Sequence, residues 1–227
     1  MAHFPFEIVG FDLDGTLLDT HVDLGLALNH ALAQAGRAPV PVSAVASLIG
    51  GGSRLMLGRA LEITGGPCDM PMDQLYRHLL DYYEANIAVH TRLYPGGAAM
   101  LDALESRGVK LAVVTNKMEY LAVRLLDALD LSKRLFTIIG GDTMGPGRAK
   151  PAPDPLLEMI KRAPATGRAK PRAAYVGDTS FDTGAARAAG IPCVAVSFGF
   201  CDAPPQELGA DAVIDHFDQL VPTLQRL

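Results

Sequence analysis

Carboxylates stand in this chain where a fold could gather them. Asp12 and Asp14 lie in DLDGT, directly after the apolar run FEIVGF. Asp178 and Asp182 lie in GDTSFD, after another apolar run, AAYV. Between these pairs, LAVV leads into Thr115 and Asn116, and the glycine-rich stretch GGDTMGPGRAKP carries Lys150. Asp12, Asp14 and Asp178 brought to one point would repel one another strongly unless a cation sat among them. Hard oxygen ligands with room for water suit Mg2+ far better than zinc. Lys150 and the Thr115 hydroxyl can neutralise and hydrogen-bond phosphate oxygens. Exposed backbone N–H groups around Asp14-Gly15-Thr16 and after Thr115 would complete an anion cradle. The chemistry this set suits is a phosphoryl group held over a divalent cation.

Something must position these residues, and the apolar runs are the means. FEIVGFD (6–12), LAVVTN (111–116), FTIIGG (136–141), AAYVGD (173–178) and CVAVSF (193–198) read as buried strands, with AVI (212–214) as an edge strand. Helical spacing separates them at 98–108, 118–130, 153–163 and 179–190, several ending on a glycine. Strand alternating with helix predicts an α/β fold, a parallel sheet covered on both faces. Open parallel sheets bind ligands beyond the C-terminal ends of their strands, where the polar residues stand. The stretch from about Leu18 to Val89 differs. It offers no convincing strand, only helical segments at 20–35, 42–48, 53–64 and 72–88 divided by Gly50-Gly51-Gly52 and Gly65-Gly66-Pro67. The predicted organisation is a discontinuous core, 1–17 and 89–227, with a helical cap inserted at 18–88.

Composition limits the remaining possibilities. A hydrophobic fraction of 49% over 227 residues supports a real core, and a net charge of -5 with no basic stripe argues against nucleic acid as a partner. The densest basic stretch, Lys161 to Arg172, is broken by prolines and small residues and reads as a solvated loop. Three cysteines without a CxxC pair argue against a disulfide scaffold or a structural zinc. Asp12 and Asp14 interrupt the first apolar run, so it is no secretory signal, and no run suits a membrane span. A cytoplasmic location is expected.

The motifs D12-L-D-G-T-L-L-D-T20, T115-N-K, K150-P and G177-D-T-S-F-D182, in that order, closely resemble the four motifs of the haloacid-dehalogenase-like hydrolase superfamily. The resemblance covers essentially the whole chain and implies a Rossmann-like core with a cap inserted after the first motif. Within the superfamily, NIAVHTRLYPG (86–96), GVKLAVVTNK (108–117) and GRAKPAPDPLLEMI (147–160) are most similar to the phosphoglycolate phosphatases of bacteria. That likeness implies a small phosphorylated metabolite as substrate, with Mg2+ as cofactor. It casts Asp12 as the nucleophile that becomes an aspartyl-phosphate, and Asp14 as the acid and then base. It also implies Mg2+ ligation by Asp12, by Asp14 through its main-chain carbonyl, and by Asp178. Thr115, Asn116 and Lys150 would bind phosphate, and Asp182 would orient Lys150 or a metal-bound water.

Details within the motifs narrow the expectation. An aspartate at 14 argues for phosphate over halide chemistry, because a halide leaving group needs no acid. The cap segment 17–88 contains no lysine to form a Schiff base, which disfavours phosphonate cleavage. Arg-Ala-Lys-Pro occurs at 148–151 and again at 168–171. Lys150 follows a strand and a glycine-rich loop, whereas Lys170 directly precedes a strand and is expected at the opposite edge of the sheet. In the cap, Arg54 is the candidate for a substrate carboxylate. The alternatives are a related phosphatase acting on a sugar phosphate or cell-wall sugar phosphate, a sugar phosphomutase, and a non-catalytic binding protein on the same scaffold.

Overall fold

The structure, a computed structural model, describes residues 4–164 and 171–227. Its centre is a six-stranded parallel sheet of β1 (Ile8–Phe11), β4 (Lys110–Val114), β5 (Leu135–Ile139), β6 (Ala173–Gly177), β7 (Cys193–Val196) and β8 (Ala212–Ile214). The spatial order is β5-β4-β1-β6-β7-β8, so the chain reverses direction across the sheet at β1. Every residue of β1, β6 and β7 is buried, as near-continuous apolar runs require when helices cover both faces. One face holds Ile8, Ala112, Val114 and Tyr175 under α7 (Asp154–Arg162) and α8 (Ser180–Ala189). The other holds Val9, Phe11, Val113 and Val176 under α5 (Gly97–Glu105), α6 (Glu119–Ala128) and α9 (Leu220–Leu224). The fold is α/β and Rossmann-like.

Between β1 and β4 the chain builds α1 (His21–Gln34), α2 (Val42–Val45), α3 (Ser53–Ile63) and α4 (Met72–Ala85). Apolar residues at helical spacing, Leu24, Leu28 and Leu32 on α1 and Leu75, Leu79 and Tyr83 on α4, are buried between these helices. Two short strands bracket them. β2 (Leu18–Asp19) and β3 (Arg92–Leu93) pair antiparallel, Leu18 opposite Leu93. Two-residue strands carry too little pattern to be read from sequence, and neither these nor α9 were expected. The expected strands and core helices appear within a few residues of their predicted bounds. All three cysteines are free thiols, and among the described residues no helix is long and apolar enough to cross a membrane. Lys170, with most of the second Arg-Ala-Lys-Pro, lies outside the described residues.

Candidate active site

Sheet register assembles the site. Phe11 is level with both Val113 and Val176, so the chain leaves β1, β4 and β6 side by side. Asp12, Thr115 and Asp178 follow those strand ends directly and are all buried. Asp12 N–H still donates to Val176 O at 2.9 Å, and Thr115 N–H to Ile139 O at 2.9 Å, which fixes both residues at the sheet edge. Gly15 then turns the chain with φ 86°, and a Cβ there would strike the Asp178 carboxylate and the Phe200 ring. Glycine allows the first loop to fold down onto Asp178.

Lys150 reaches the same place from the loop after β5. Its Nζ lies 2.9 Å from Asp12 Oδ1 and 2.7 Å from Asp182 Oδ1. It also donates to the Tyr175 hydroxyl at 2.9 Å, which in turn donates to Val114 O. Asp182 has its other oxygen committed as well, accepting from Asp178 N, Thr179 N and Thr179 Oγ1 at 3.2, 3.0 and 2.7 Å. It therefore caps α8 and anchors Lys150 at once. Asp178 accepts from Thr16 Oγ1 and from Phe200 N–H, both at 2.7 Å. Asn116 donates to Lys150 O at 3.0 Å, linking the two phosphate-binding candidates.

Burial sets the electrostatics. Carboxylate oxygens of Asp12, Asp178 and Asp182 lie within 4.8 Å of one another, all buried. Desolvation raises Asp12 to about 6, with Lys150 opposing it and Asp182 and Asp14 adding to it. Desolvation also raises Asp178, reinforced by Asp182 and Asp12. For Lys150 burial works against the charge, but Asp12 and Asp182 outweigh it and keep the ammonium protonated. Ionised together, three carboxylates facing one ammonium would carry two excess negative charges, the charge a divalent cation balances. An all-oxygen donor set is the kind a hard cation takes.

Two expectations need correction. The clustered carboxylates are Asp12, Asp178 and Asp182, not Asp12, Asp14 and Asp178. The Asp14 side chain turns instead to Lys117, whose Nζ lies 2.8 Å from Oδ2 and 2.9 Å from Oδ1. Arg54 is not brought to the site. Its half-exposed guanidinium pairs with Asp73 at 2.6 Å and stacks over Tyr76, away from the cavity.

That cavity, about 30 Å³, lies between the sheet edge and the helical segment. Asp12, Asp14, Thr115, Asn116 and Lys117 line one side; Ile49, Gly50, Met56, Leu79 and Tyr83 line the other. Neither Lys117, the last residue of T115-N-K, nor Tyr83 is among the site residues expected from the sequence. The available signal for Lys117 was its position three residues beyond a buried strand end, where a lysine needs an acidic partner to be buried.

The family comparison decides the class. Haloacid dehalogenase-like hydrolase is the family that matches, over residues 9–196. The chain belongs to that family. Among curated relatives of this haloacid dehalogenase-like hydrolase, a phosphoglycolate phosphatase of Agrobacterium fabrum is 42% identical over 217 residues, 94% of this chain and 90% of the relative. One of Mesorhizobium japonicum is 40% identical, covering 94% of this chain and 92% of the relative. Of solved structures, a predicted phosphoglycolate phosphatase from Haemophilus somnus superposes with a TM-score of 0.87 at 28% identity, over 96% of this chain and 98% of its own. The hydrolase is an enzyme, a phosphomonoesterase.

Proposed function

We propose that this phosphatase converts 2-phosphoglycolate to glycolate and inorganic phosphate, with Mg2+ as cofactor. The observation that carries the reading is the buried imbalance of three carboxylates against Lys150 at the ends of β1 and β6, beside Thr115 at the end of β4. Asp12 and Asp178 are the carboxylates with capacity left for a metal, since Asp182 is spent on α8 and Lys150. The Asp14 main-chain carbonyl completes the protein's share. Bound there, the cation supplies positive charge against the phosphoryl oxygens.

The rest belongs to the chain's own residues. Asp12 attacks phosphorus as the bond to the ester oxygen breaks, and Asp14 gives that oxygen its proton. Water then attacks the aspartyl-phosphate, Asp14 takes a proton from it, and phosphate leaves with Asp12 restored. Lys150, Thr115 and Asn116 hold the phosphoryl oxygens, and Asp182 keeps Lys150 in place. Short acids suit the site better than sugars, because Leu24, Ile49, Met56 and Leu79 line the side facing Asp14 and offer no partners to a row of sugar hydroxyls. A panel of phosphate esters assayed with Mg2+ tests this reading. The expected result is a kcat/KM for 2-phosphoglycolate at least about tenfold above any sugar phosphate, abolished by EDTA. A sugar phosphate ahead of it would overturn the substrate.

A further inference from the structure

Lys117 is a buried cation to which the reaction above gives no task. It is the one cation lining the cavity among the described residues, since Lys150 is engaged on the far side of Asp12 and Arg54 is outside. An ammonium has three donors, and the two Asp14 oxygens take two of them. The third faces the Tyr83 side of the cavity, with Nζ 4.8 Å from that ring's centroid. The Tyr83 hydroxyl is buried in the cavity wall, with the Lys117 ammonium as its polar neighbour. A buried hydroxyl and a buried ammonium side by side at a cavity wall present two donors to an anion entering it. Leu24, Ile49, Met56 and Leu79 line the remainder, and their low polarity strengthens any ion pair formed among them.

Position selects the ligand. Lys117 touches Asp14, the residue that would protonate the ester oxygen, so an anion reaching Lys117 must be bonded close to that oxygen. A carboxylate separated from the ester oxygen by a single carbon meets that condition. The second anion of a sugar bisphosphate lies too far away. We infer that Lys117 and the Tyr83 hydroxyl form the seat for the substrate's carboxylate, and that a carboxylate seated there draws Lys117 off Asp14. The inference rests on the proposed 2-phosphoglycolate reading and adds what enforces it. Before substrate arrives Lys117 holds the Asp14 carboxyl, and afterwards the carboxyl is free to meet the ester oxygen. An ester without a carboxylate would leave Asp14 tethered and lose turnover as well as binding.

The test compares 2-phosphoglycolate with ethyl phosphate, the same two-carbon ester without the carboxylate, in wild type, Lys117→Met and Tyr83→Phe. Wild type is expected to favour the carboxylate by about 100-fold or more in kcat/KM, because a site built for a polar group rejects its apolar analogue. Lys117→Met should lower that ratio below about tenfold, and Tyr83→Phe should lower it about three- to tenfold. If Lys117 serves only to hold Asp14, Lys117→Met slows both esters equally and the ratio stays, which overturns the inference. A Lys117→Met protein that does not fold leaves Tyr83→Phe to decide, since that change keeps the buried ring and removes only the hydroxyl. An unchanged ratio there overturns the inference too. Wild type showing no preference between the esters would sink the substrate reading itself, a separate failure.

Discussion

Asp12 sits where its own charge is unwelcome. Only 6% exposed, with its carboxyl raised to about 6 chiefly by desolvation, it keeps its proton in the native state while an unfolded aspartate would lose it. Between about pH 4 and 6 the native metal-free protein therefore binds more protons than the unfolded chain, and this group's contribution makes stability fall as pH rises. Above that window the whole penalty stands, on the order of 1–3 kcal/mol. Asp12→Asn removes the charge but keeps the shape, and Lys150 retains Asp182. Expected is a loss of turnover of about 10³ or more, together with a higher Tm than wild type in EDTA at pH 7.5. The Tm gap should close toward pH 4.5, and thermal melts across that range check it. An Asp12→Asn protein less stable than wild type at pH 7.5 would contradict the account. Asp12 and Asp178 were legible in the sequence because each directly follows an apolar run and the strand end fixes where it goes, and Asp182 because it stands in the first turn of the helix that follows. Lys117 and Arg54 were not. A lysine's reach does not reveal which carboxylate it will meet, and Arg54 stands on a helix whose rotation, set by the burial of Met56, Leu57, Ala60 and Leu61, turns it to Asp73 and Tyr76.

One carboxylate in the first turn of α1 ties the chain entering the helical segment to the chain leaving it. Asp23 is 2% exposed and accepts from His90 N–H at 3.0 Å, Thr91 N–H at 2.9 Å and Thr91 Oγ1 at 2.7 Å. The outgoing chain thus grips the returning one beside the β2–β3 pair. Asp23→Ala would leave three buried donors unsatisfied and cost about 2–4 kcal/mol. The expected readout is a lower urea midpoint at unchanged m, with kcat/KM falling because α4, which carries Tyr83, loses its reference to the sheet. A midpoint within experimental error of wild type would show that the donors find other partners. Nothing local announces this contact, because its partners are 67 and 68 residues apart and meet only once the chain has returned. The long elements were legible for the opposite reason. A strand buried on both faces must be apolar throughout, and an amphipathic helix must repeat its apolar residues, so each element carries its own evidence.

Across the molecule, sheet and helical segment share one buried cluster that runs from Val9 and Phe11 through Leu24 and Leu28 to Leu75 and Leu79. Neither part can expose its share of that surface without losing apolar burial in the other, so unfolding should be a single transition. The charge of the site couples to the same transition. Burial and mutual repulsion penalise the ionised Asp12 and Asp178 carboxyls in the metal-free protein, and a divalent cation that binds only the native state stabilises the molecule through them. At a Mg2+ concentration about 100 times its Kd the gain is about 2.7 kcal/mol, which raises Tm by roughly 5–10 °C for a chain of this length. The rise should be largest near pH 7.5 and smaller at pH 5, where the raised carboxyl of Asp12 holds its proton and competes with the metal. Calorimetry with and without Mg2+ at both pH values distinguishes the cases. One endotherm moving as a whole is the expected outcome. Two endotherms, with only one responding to Mg2+, would show that the helical segment folds independently of the site it covers.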